Sequence, residues 1–125
     1  GEKVTLRIAA RWADEWNVWG TPETLTHKGS VLEAHCRDLG RDPKAIQRSA
    51  QALIFMSDDP GTLERWSAAP STMPKLVGTP EALRDTLDAY AEAGVDEFIV
   101  PDFTLGQGEA RERALDTFLK RVAGR

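Results

Sequence analysis

Apolar residues along the chain form short runs that alternate with longer stretches of helical spacing. Runs bounded by turn-forming residues predict strands at 16–19, 49–56 and 97–100. The run 49–56 is nearly continuous, which is typical of a parallel strand buried on both faces. Residues 75–77 form either a very short strand or an extended segment. Apolar residues every three or four positions predict helices over 3–13, 22–39, 62–68, 80–93 and 109–122. This order predicts an α/β chain built from strand-helix units.

The first predicted helix carries a wide apolar face. Val4, Ile8 and Trp12 lie four residues apart on it. Leu6 and the alanines at positions 9, 10 and 13 widen that face. We therefore expect these side chains to share one packed side of the helix.

The tetrapeptide Gly-Thr-Pro-Glu occurs twice, at 20–23 and at 78–81, each time between a predicted strand and a predicted helix. Glycine frees the backbone at the strand end, and threonine can cap the helix through its hydroxyl. Proline suits the first helical position, and glutamate suits the positive end of the helix dipole. The simplest interpretation is that both copies only begin helices. They also mark the carboxyl ends of strands, where parallel α/β folds carry their ligand sites.

Length and composition exclude several classes of protein. The 125 residues predict one α/β domain, 1–125, with a core of its own. A net charge of −4 and scattered Lys and Arg residues predict no nucleic-acid partner. Cys36 is the single cysteine, which is typical of a cytoplasmic protein without disulfides, and we expect it to be a buried or half-buried core residue. No apolar stretch is long enough to span a membrane.

Residues with catalytic or metal-binding chemistry are few. The sequence has no P-loop, no nucleophile elbow and no His-Glu-x-x-His helix. His27 and His35 lie about 12 Å apart along one predicted helix, so we expect no shared metal ion. We expect His27 to face solvent and His35 to be partly buried. Asp58, Asp59 and Asp102 stand at strand ends, where they are either acid-base groups or ordinary turn residues, so the catalytic residues stay unknown.

Two features indicate where a ligand would bind. Trp16 and Trp19 cannot share one face of a strand, so we expect one in the core and the other at a loop end, where a flat ligand could stack. Gly1 and Glu2 lie at the first turn of a helix, whose free backbone N–H groups form an anion site. The chain starts in a helix without a preceding strand, which suggests a fragment whose missing strand would complete a phosphate cradle.

Several motifs follow one another in a recognisable order. Residues 1–17 read Gly-Glu-Lys-x-Thr-Leu-Arg-x-Ala-Ala-x-x-Ala-Asp and then enter the Trp-bearing strand. Gly-Arg-Asp-Pro at 40–43, the Gly-Thr-Pro-Glu helix start and Ala-Gly-Val-Asp at 93–96 come later. Together they resemble the second half of the luciferase-like monooxygenase superfamily, the FMN- or coenzyme F420-dependent oxidoreductases. The resemblance covers nearly all 125 residues.

This resemblance implies a partial (βα)8 TIM barrel made of the C-terminal strands and helices of a luciferase-like barrel. It implies FMN or coenzyme F420 as the cofactor, a small organic molecule as the substrate, and no metal. In that family a glycine-rich loop and the helix after it hold the phosphate end of the cofactor, which carries over to Gly1, Glu2 and Thr5. The loop after the Trp-bearing strand borders the cofactor or substrate, which carries over to Trp19 and Thr21.

Three hypotheses about function follow. The leading one is a C-terminal fragment of a flavin- or F420-dependent oxidoreductase or monooxygenase, inactive until joined to the N-terminal half of the barrel, which holds the isoalloxazine ring in that family. The second is a non-catalytic module that binds a phosphate-bearing ligand. The third is an interaction domain that self-associates through a sheet edge left unpaired.

Overall fold

The computed structural model describes residues 1–124, and strands and helices follow one another there in the predicted order. The elements are α1 Thr5–Trp12, β1 Glu15–Trp19, α2 Pro22–Asp38, a 3-10 turn Pro43–Ala45, β2 Gln47–Gln51, β3 Leu53–Met56, α3 Pro60–Ala68, β4 Lys75–Gly78, α4 Pro80–Glu92, β5 Glu97–Ile99 and α5 Gly108–Thr117. The helix predicted at 109–122 is α-helical only to Thr117 and continues as the π-helical segment Phe118–Ala123. The short run at 75–77 is a strand.

The strands form two parallel sheets. In the larger one the order is β1-β2-β5, and Asn17, Ser49 and Glu97 lie side by side across it. β3 and β4 form the smaller sheet. The prediction of one strand over 49–56 is therefore wrong, because the chain divides at Ala52 and its two halves pair in different sheets. Continuous hydrophobicity reports burial on both faces, but it does not report which strands pair.

The two faces of the larger sheet differ in polarity. Trp16, Val18, Ala50 and Phe98 belong to the hydrophobic core that also holds Tyr90 of α4. The opposite face is largely polar, since it carries the alternate positions of each strand. Its members are Glu15, Asn17, Trp19, Gln47, Ser49, Gln51, Glu97 and Ile99. The helices therefore cover one face, and the polar face stays open in the described part of the chain.

Helix α1 packs with a different stripe from the one predicted. Leu6 and Ala10 are buried against α2, whereas the side chains of Val4, Ile8 and Trp12 are 65%, 57% and 72% exposed. The prediction of one packed face is wrong because α1 has two apolar stripes, and spacing alone does not tell which one meets a neighbour. The stripe with the smaller residues lies inward, and small side chains permit a close approach of two helices.

The Gly-Arg-Asp-Pro motif lies in the segment that connects α2 to β2. Gly40 adopts a φ of +71°, which favours glycine, and ends the helix. Arg41 reaches back and donates to the carbonyls of Ala10 and Ala13 at 3.0 and 2.6 Å, so it caps the C-terminus of α1. The carboxylate of Asp42 accepts from the N–H of Lys44 at 3.0 Å and starts the 3-10 turn.

Arg48 is a buried charged residue of β2 and fixes three elements together. Its guanidinium donates to Glu33 of α2 at 3.0 Å, and its backbone N–H donates to the carboxylate of Asp96 at 2.8 Å. A Cβ atom at Gly29 or at Gly94 would lie 3.0 Å from its Nη1. Both glycines therefore leave room for this one side chain.

Candidate functional site

A cleft of about 300 Å³ lies along the outer edge of β1 and brings most of the predicted site residues together. Gly1, Glu2, Thr5 and Trp19 all line it. Thr21 lies outside it, in a separate groove between α2 and α4. The first turn of α1 forms one wall of the cleft, α2 contributes Lys28, and residues 16–19 of β1 form the floor.

The N-terminal turn offers backbone donors to this cleft. The carbonyl of Gly1 accepts from the N–H groups of Thr5 and Leu6 at 2.9 and 3.3 Å, so residues 2–4 form a turn that continues into α1. Val4 precedes the helix without a side-chain cap. The N–H groups of such a first turn have no intrahelical acceptor and attract anions. The hydroxyl of Thr5 accepts from the amino group of Gly1 at 2.9 Å, so its own proton is left for a ligand.

Both histidines contact Glu2 and hold this turn on α2. His27 Nε2 lies 3.0 Å from the carboxylate of Glu2, and His35 Nε2 lies 3.0 Å from its backbone carbonyl. The predicted placements are confirmed, since His27 is 66% exposed and His35 is half-buried. Their contacts with Glu2 were not predicted, because the N-terminal turn and α2 are distant in sequence. A carboxylate beside an anion site opposes the binding of an anion.

Lys28 is the cation of the cleft, and sequence reasoning missed it. It is half-buried and follows the first Gly-Thr-Pro-Glu by five positions. The only signal in the sequence is a lysine in the first half of a helix that begins at a strand end. An ammonium group beside free backbone N–H groups is a typical setting for a phosphate.

The two tryptophans of β1 divide as predicted. Trp16 packs against the core, whereas Trp19 lies on the open face of the sheet. The ring of Trp19 lies 6.4 Å from the ring of Phe103, in the loop after β5, whose side chain is 65% exposed. Phe103 carried no sequence signal, because a single aromatic residue in a loop has no periodicity. An aromatic pair therefore stands at the carboxyl ends of β1 and β5.

The strand-end carboxylates act as structural residues. Asp59 accepts from the N–H and the hydroxyl of Thr62 at 3.0 and 2.6 Å and caps α3. Asp58 pairs with Arg121 at 3.1 Å, and Asp102 pairs with Arg111 at 3.3 Å. Hydrogen bonds from Arg121 lower the pKa of Asp58, and those from Thr62 lower the pKa of Asp59. Lowered pKa values make Asp58 and Asp59 unsuited to act as general acids, so their contacts favour a structural role.

The described residues contain no cluster of three or more possible metal ligands, and none of their helices is long and apolar enough to cross a membrane. Cys36 is fully buried as predicted, and burial raises the pKa of its thiol. These observations leave the cleft beside β1 as the place where predicted site residues converge.

Comparison with solved structures finds the same architecture in known enzymes. The coenzyme F420 dependent tetrahydromethanopterin reductase from Methanopyrus kandleri aligns with a TM-score of 0.72 and 13% identity, over 98% of this chain and 48% of that one. The architecture of this chain is a partial luciferase-like TIM-barrel fold. An F420-dependent secondary alcohol dehydrogenase aligns with a TM-score of 0.70 and 16% identity, over 100% and 47% of the two chains. The long-chain alkane monooxygenase LadA aligns with a TM-score of 0.67 and 15% identity, over 91% and 37%.

The predicted fold class and the resemblance to the luciferase-like superfamily are therefore confirmed. The chain spans about half the length of these structures or less. No protein-family model and no curated protein matches the sequence. Identities of 13–16% establish the fold alone.

Proposed function

We propose that this chain is the C-terminal part of a flavin- or F420-dependent oxidoreductase and contributes the phosphate side of the cofactor site. The observation that supports the proposal most directly is the convergence of Gly1, Glu2, Thr5 and Trp19 on one cleft in a partial luciferase-like barrel. Two of the similar structures bear the name of F420, and a third is a monooxygenase. Either FMN or F420 meets the requirement, because both end in a phosphate-bearing chain.

The residues of this chain fit the phosphate end of such a cofactor. The free N–H groups of the N-terminal turn, the hydroxyl of Thr5 and the ammonium of Lys28 are donors on one cleft, as a phosphate requires. Trp19 lines the same cleft at the end of β1. A bound flavin or deazaflavin would supply hydride transfer or oxygen chemistry, while the protein orients it. In the family that the chain resembles, the N-terminal half of the barrel holds the ring, so we expect this chain to be inactive alone.

Binding of FMN, F420 and riboflavin to the full chain, alone and with an N-terminal half-barrel, tests the proposal. Riboflavin lacks the phosphate, so it separates phosphate recognition from recognition of the ring. We expect FMN or F420 to bind at least about tenfold more tightly than riboflavin, as one charge-assisted phosphate contact provides. Equal affinities for FMN and riboflavin, or no saturable binding of any of them, would contradict the proposal.

A matched pair of lysine variants locates the phosphate. Lys28→Ala removes the cation of the cleft, and we expect it to weaken FMN or F420 binding about tenfold. Lys44→Ala removes an exposed lysine that lies in a different cleft, beside Arg48 and Gly94. This control variant is expected to bind as the parent does. Equal losses in both variants would point to general electrostatic attraction instead.

Self-association is a second candidate, and the exposed stripe of α1 favours it. Val4, Ile8 and Trp12 line a groove of about 330 Å³ together with Leu39. Such a stripe on an incomplete barrel normally meets another surface. Sedimentation of the chain at several concentrations tests this candidate, and a concentration-independent monomer would exclude it.

A further inference from the structure

A second cleft, of about 410 Å³, lies at the amino ends of β2 and β5, and we call it the Arg48 cleft. It opens between α2, the 3-10 turn, the start of β2 and the turn that leads into β5. The residues that line it are all different from those of the cleft beside β1. A cleft of this size can hold a small molecule, and all of its walls are formed by this chain.

Arg48 brings unused hydrogen-bond donors to this cleft. Its side chain is 8% exposed, and its guanidinium donates through Nη2 to the carboxylate of Glu33 at 3.0 Å. A guanidinium has N–H groups on all three nitrogens, and no hydrogen bond joins Nη1 or Nε to another described residue. No fully buried side-chain nitrogen of the described residues lacks a partner, so these two atoms are within reach of solvent. The cleft that Arg48 lines gives them that access.

The turn before β5 leaves Nη1 of Arg48 open to the cleft. A Cβ atom at Gly94 would lie 3.0 Å from Nη1, and Gly94 is exposed and lines the cleft. Its φ of +90° favours glycine, so the turn itself keeps this approach free of a side chain. An acceptor atom of a ligand can therefore occupy the space that a side chain would fill here.

The charges that line the cleft are balanced. Arg48 is paired with Glu33, and Lys44 and Asp96 are the other two charged residues of the lining. One carboxylate oxygen of Asp96 accepts from the backbone N–H of Arg48 at 2.8 Å. Neither Lys44 nor Asp96 forms an ion pair with another described residue. A ligand with a net charge would be attracted by one of these two residues and repelled by the other, whereas a ligand with both charges would be attracted by both.

The remaining wall of the cleft is apolar. Pro43 begins the 3-10 turn, and Ile46 follows it as a buried residue. Aliphatic groups of a ligand would lose contact with water against these two side chains. The cleft therefore combines an apolar wall with one charge of each sign and an open guanidinium N–H.

We propose that the Arg48 cleft binds a small zwitterion, namely an α-amino acid with an aliphatic side chain. Its carboxylate accepts from Nη1 of Arg48 and pairs with Lys44, and its ammonium group pairs with Asp96. Its side chain packs on Pro43 and Ile46. The inference does not rest on the proposed function, because the two clefts have different residues.

Three matched probes test the two charges of the ligand separately. L-Valine carries both groups, isovalerate lacks the ammonium group, and isobutylamine lacks the carboxylate. NMR titration of the full chain follows the backbone amides of Gly94 and Asp96 and the side-chain N–H groups of Arg48. We expect saturable shifts with L-valine and at least about tenfold weaker binding of each of the other probes. No saturable shift with L-valine below about 20 mM, the weakest affinity expected for a ligand of this size, would overturn the proposal.

Two variants at exposed positions each remove one charge from the cleft. Asp96→Asn retains an oxygen for the backbone N–H of Arg48, and Lys44→Ala shortens an exposed side chain, so we expect both to fold. Each should weaken the binding of L-valine about tenfold. Lys44→Ala should not weaken isobutylamine, and Asp96→Asn should not weaken isovalerate. Lys28→Ala, in the cleft beside β1, is the matched control and should bind L-valine as the parent does.

Two further outcomes would overturn the proposal. Equal affinities for L-valine and isovalerate would reduce the cleft to a site for anions. Equal losses in Lys28→Ala and Lys44→Ala would indicate general electrostatic attraction. These titrations use neither FMN nor F420, so they succeed or fail independently of the cofactor site.

Discussion

The two copies of Gly-Thr-Pro-Glu have the same sequence but are held by different bonds. In the second copy Thr79 accepts from the N–H of Ala82 at 3.1 Å and caps α4. In the first copy Thr21 makes no capping bond, and its hydroxyl lies 3.3 Å from the hydroxyl of Thr24. The first copy is fixed instead by a long-range contact, since Tyr90 of α4 donates to the carbonyl of Gly20 at 2.6 Å. A helix-start motif therefore specifies the backbone conformation, while the stabilising bonds depend on the neighbours.

Substitution of the two glycines should give the largest difference in stability between the two copies. In Gly20→Ala the new Cβ would lie 2.9 Å from Cγ2 of Thr24 and 3.0 Å from Leu25, and Thr24 is β-branched and cannot turn away easily. We expect a loss of about 3 kcal/mol in the free energy of unfolding. In Gly78→Ala the nearest atom is the Cβ of Ala82 at 3.2 Å, so we expect a loss below about 1 kcal/mol. Urea denaturation measures both, and equal losses would remove the contrast.

Loss of the hydrogen bond from Tyr90 to Gly20 should have the next largest effect on stability. Tyr90→Phe removes a buried donor and leaves the carbonyl of Gly20 without it, so we expect a loss of about 1–2 kcal/mol in the free energy of unfolding. The ring remains 5.0 Å from that of Phe98, so the packing is kept. Urea denaturation at neutral pH is the measurement.

The stability of Tyr90→Phe at alkaline pH tests the same hydrogen bond in a second way. Burial, with a smaller contribution from Glu23, raises the pKa of Tyr90 above its ordinary value. A raised pKa in the folded protein contributes stability below the unfolded pKa of about 10 and loses it as the pH rises further. The difference in stability between the parent and Tyr90→Phe should shrink above that pH. A constant difference up to pH 11 would contradict a titrating donor at Gly20.

For the threonines we expect the larger loss of stability in the second copy, which is the opposite of the order expected for the glycines. Thr79→Ala removes a capping bond and is expected to cost about 1 kcal/mol. Thr21→Ala removes no capping bond, so we expect a loss of only about 0.3 kcal/mol. Thermal unfolding of the two variants measures the difference. A larger loss at Thr21 would show that its contact with Thr24 stabilises α2.

The smallest effect is expected at the glutamates and depends on pH. Hydrogen bonds from Arg121, which also pairs with Asp58, lower the pKa of Glu81. A lowered pKa contributes stability above the unfolded value of about 4.3 and loses it as the pH falls below that value. Glu81→Gln should therefore lower the melting temperature slightly at pH 7 and leave it unchanged near pH 3. Glu23→Gln is the matching control in the first copy.

Local sequence patterns predicted where helices begin and end, but they did not predict which elements pack or pair with one another. Both tetrapeptides and Gly40 marked helix ends correctly, because these signals act within a few residues. The inward stripe of α1 and the division at Ala52 were not predictable, because each depends on which distant element packs or pairs there. The resemblance to the luciferase-like superfamily correctly implied the barrel, since it used the order of motifs along the whole chain.

The candidate site was predicted in part for the same reason. Gly1, Glu2 and Thr5 are adjacent in sequence and had to share a turn, and Trp19 followed from the alternation of a strand. Lys28 and Phe103 reach the site from other elements, so no local pattern could identify them. Whether this cleft binds a cofactor stays a prediction.

Arg48 has a consequence beyond this one molecule. Its Nη1 stands where a side chain at Gly29 or at Gly94 would begin, although these glycines belong to different structural units. Among relatives of this chain, positions 29 and 48 are therefore expected to change together, whereas Gly94 adopts a φ of +90° and is expected to stay glycine. A lineage that replaces the arginine with a small residue loses the steric reason to keep Gly29, and correlated substitution at positions 29 and 48 would reveal this contact without any structure.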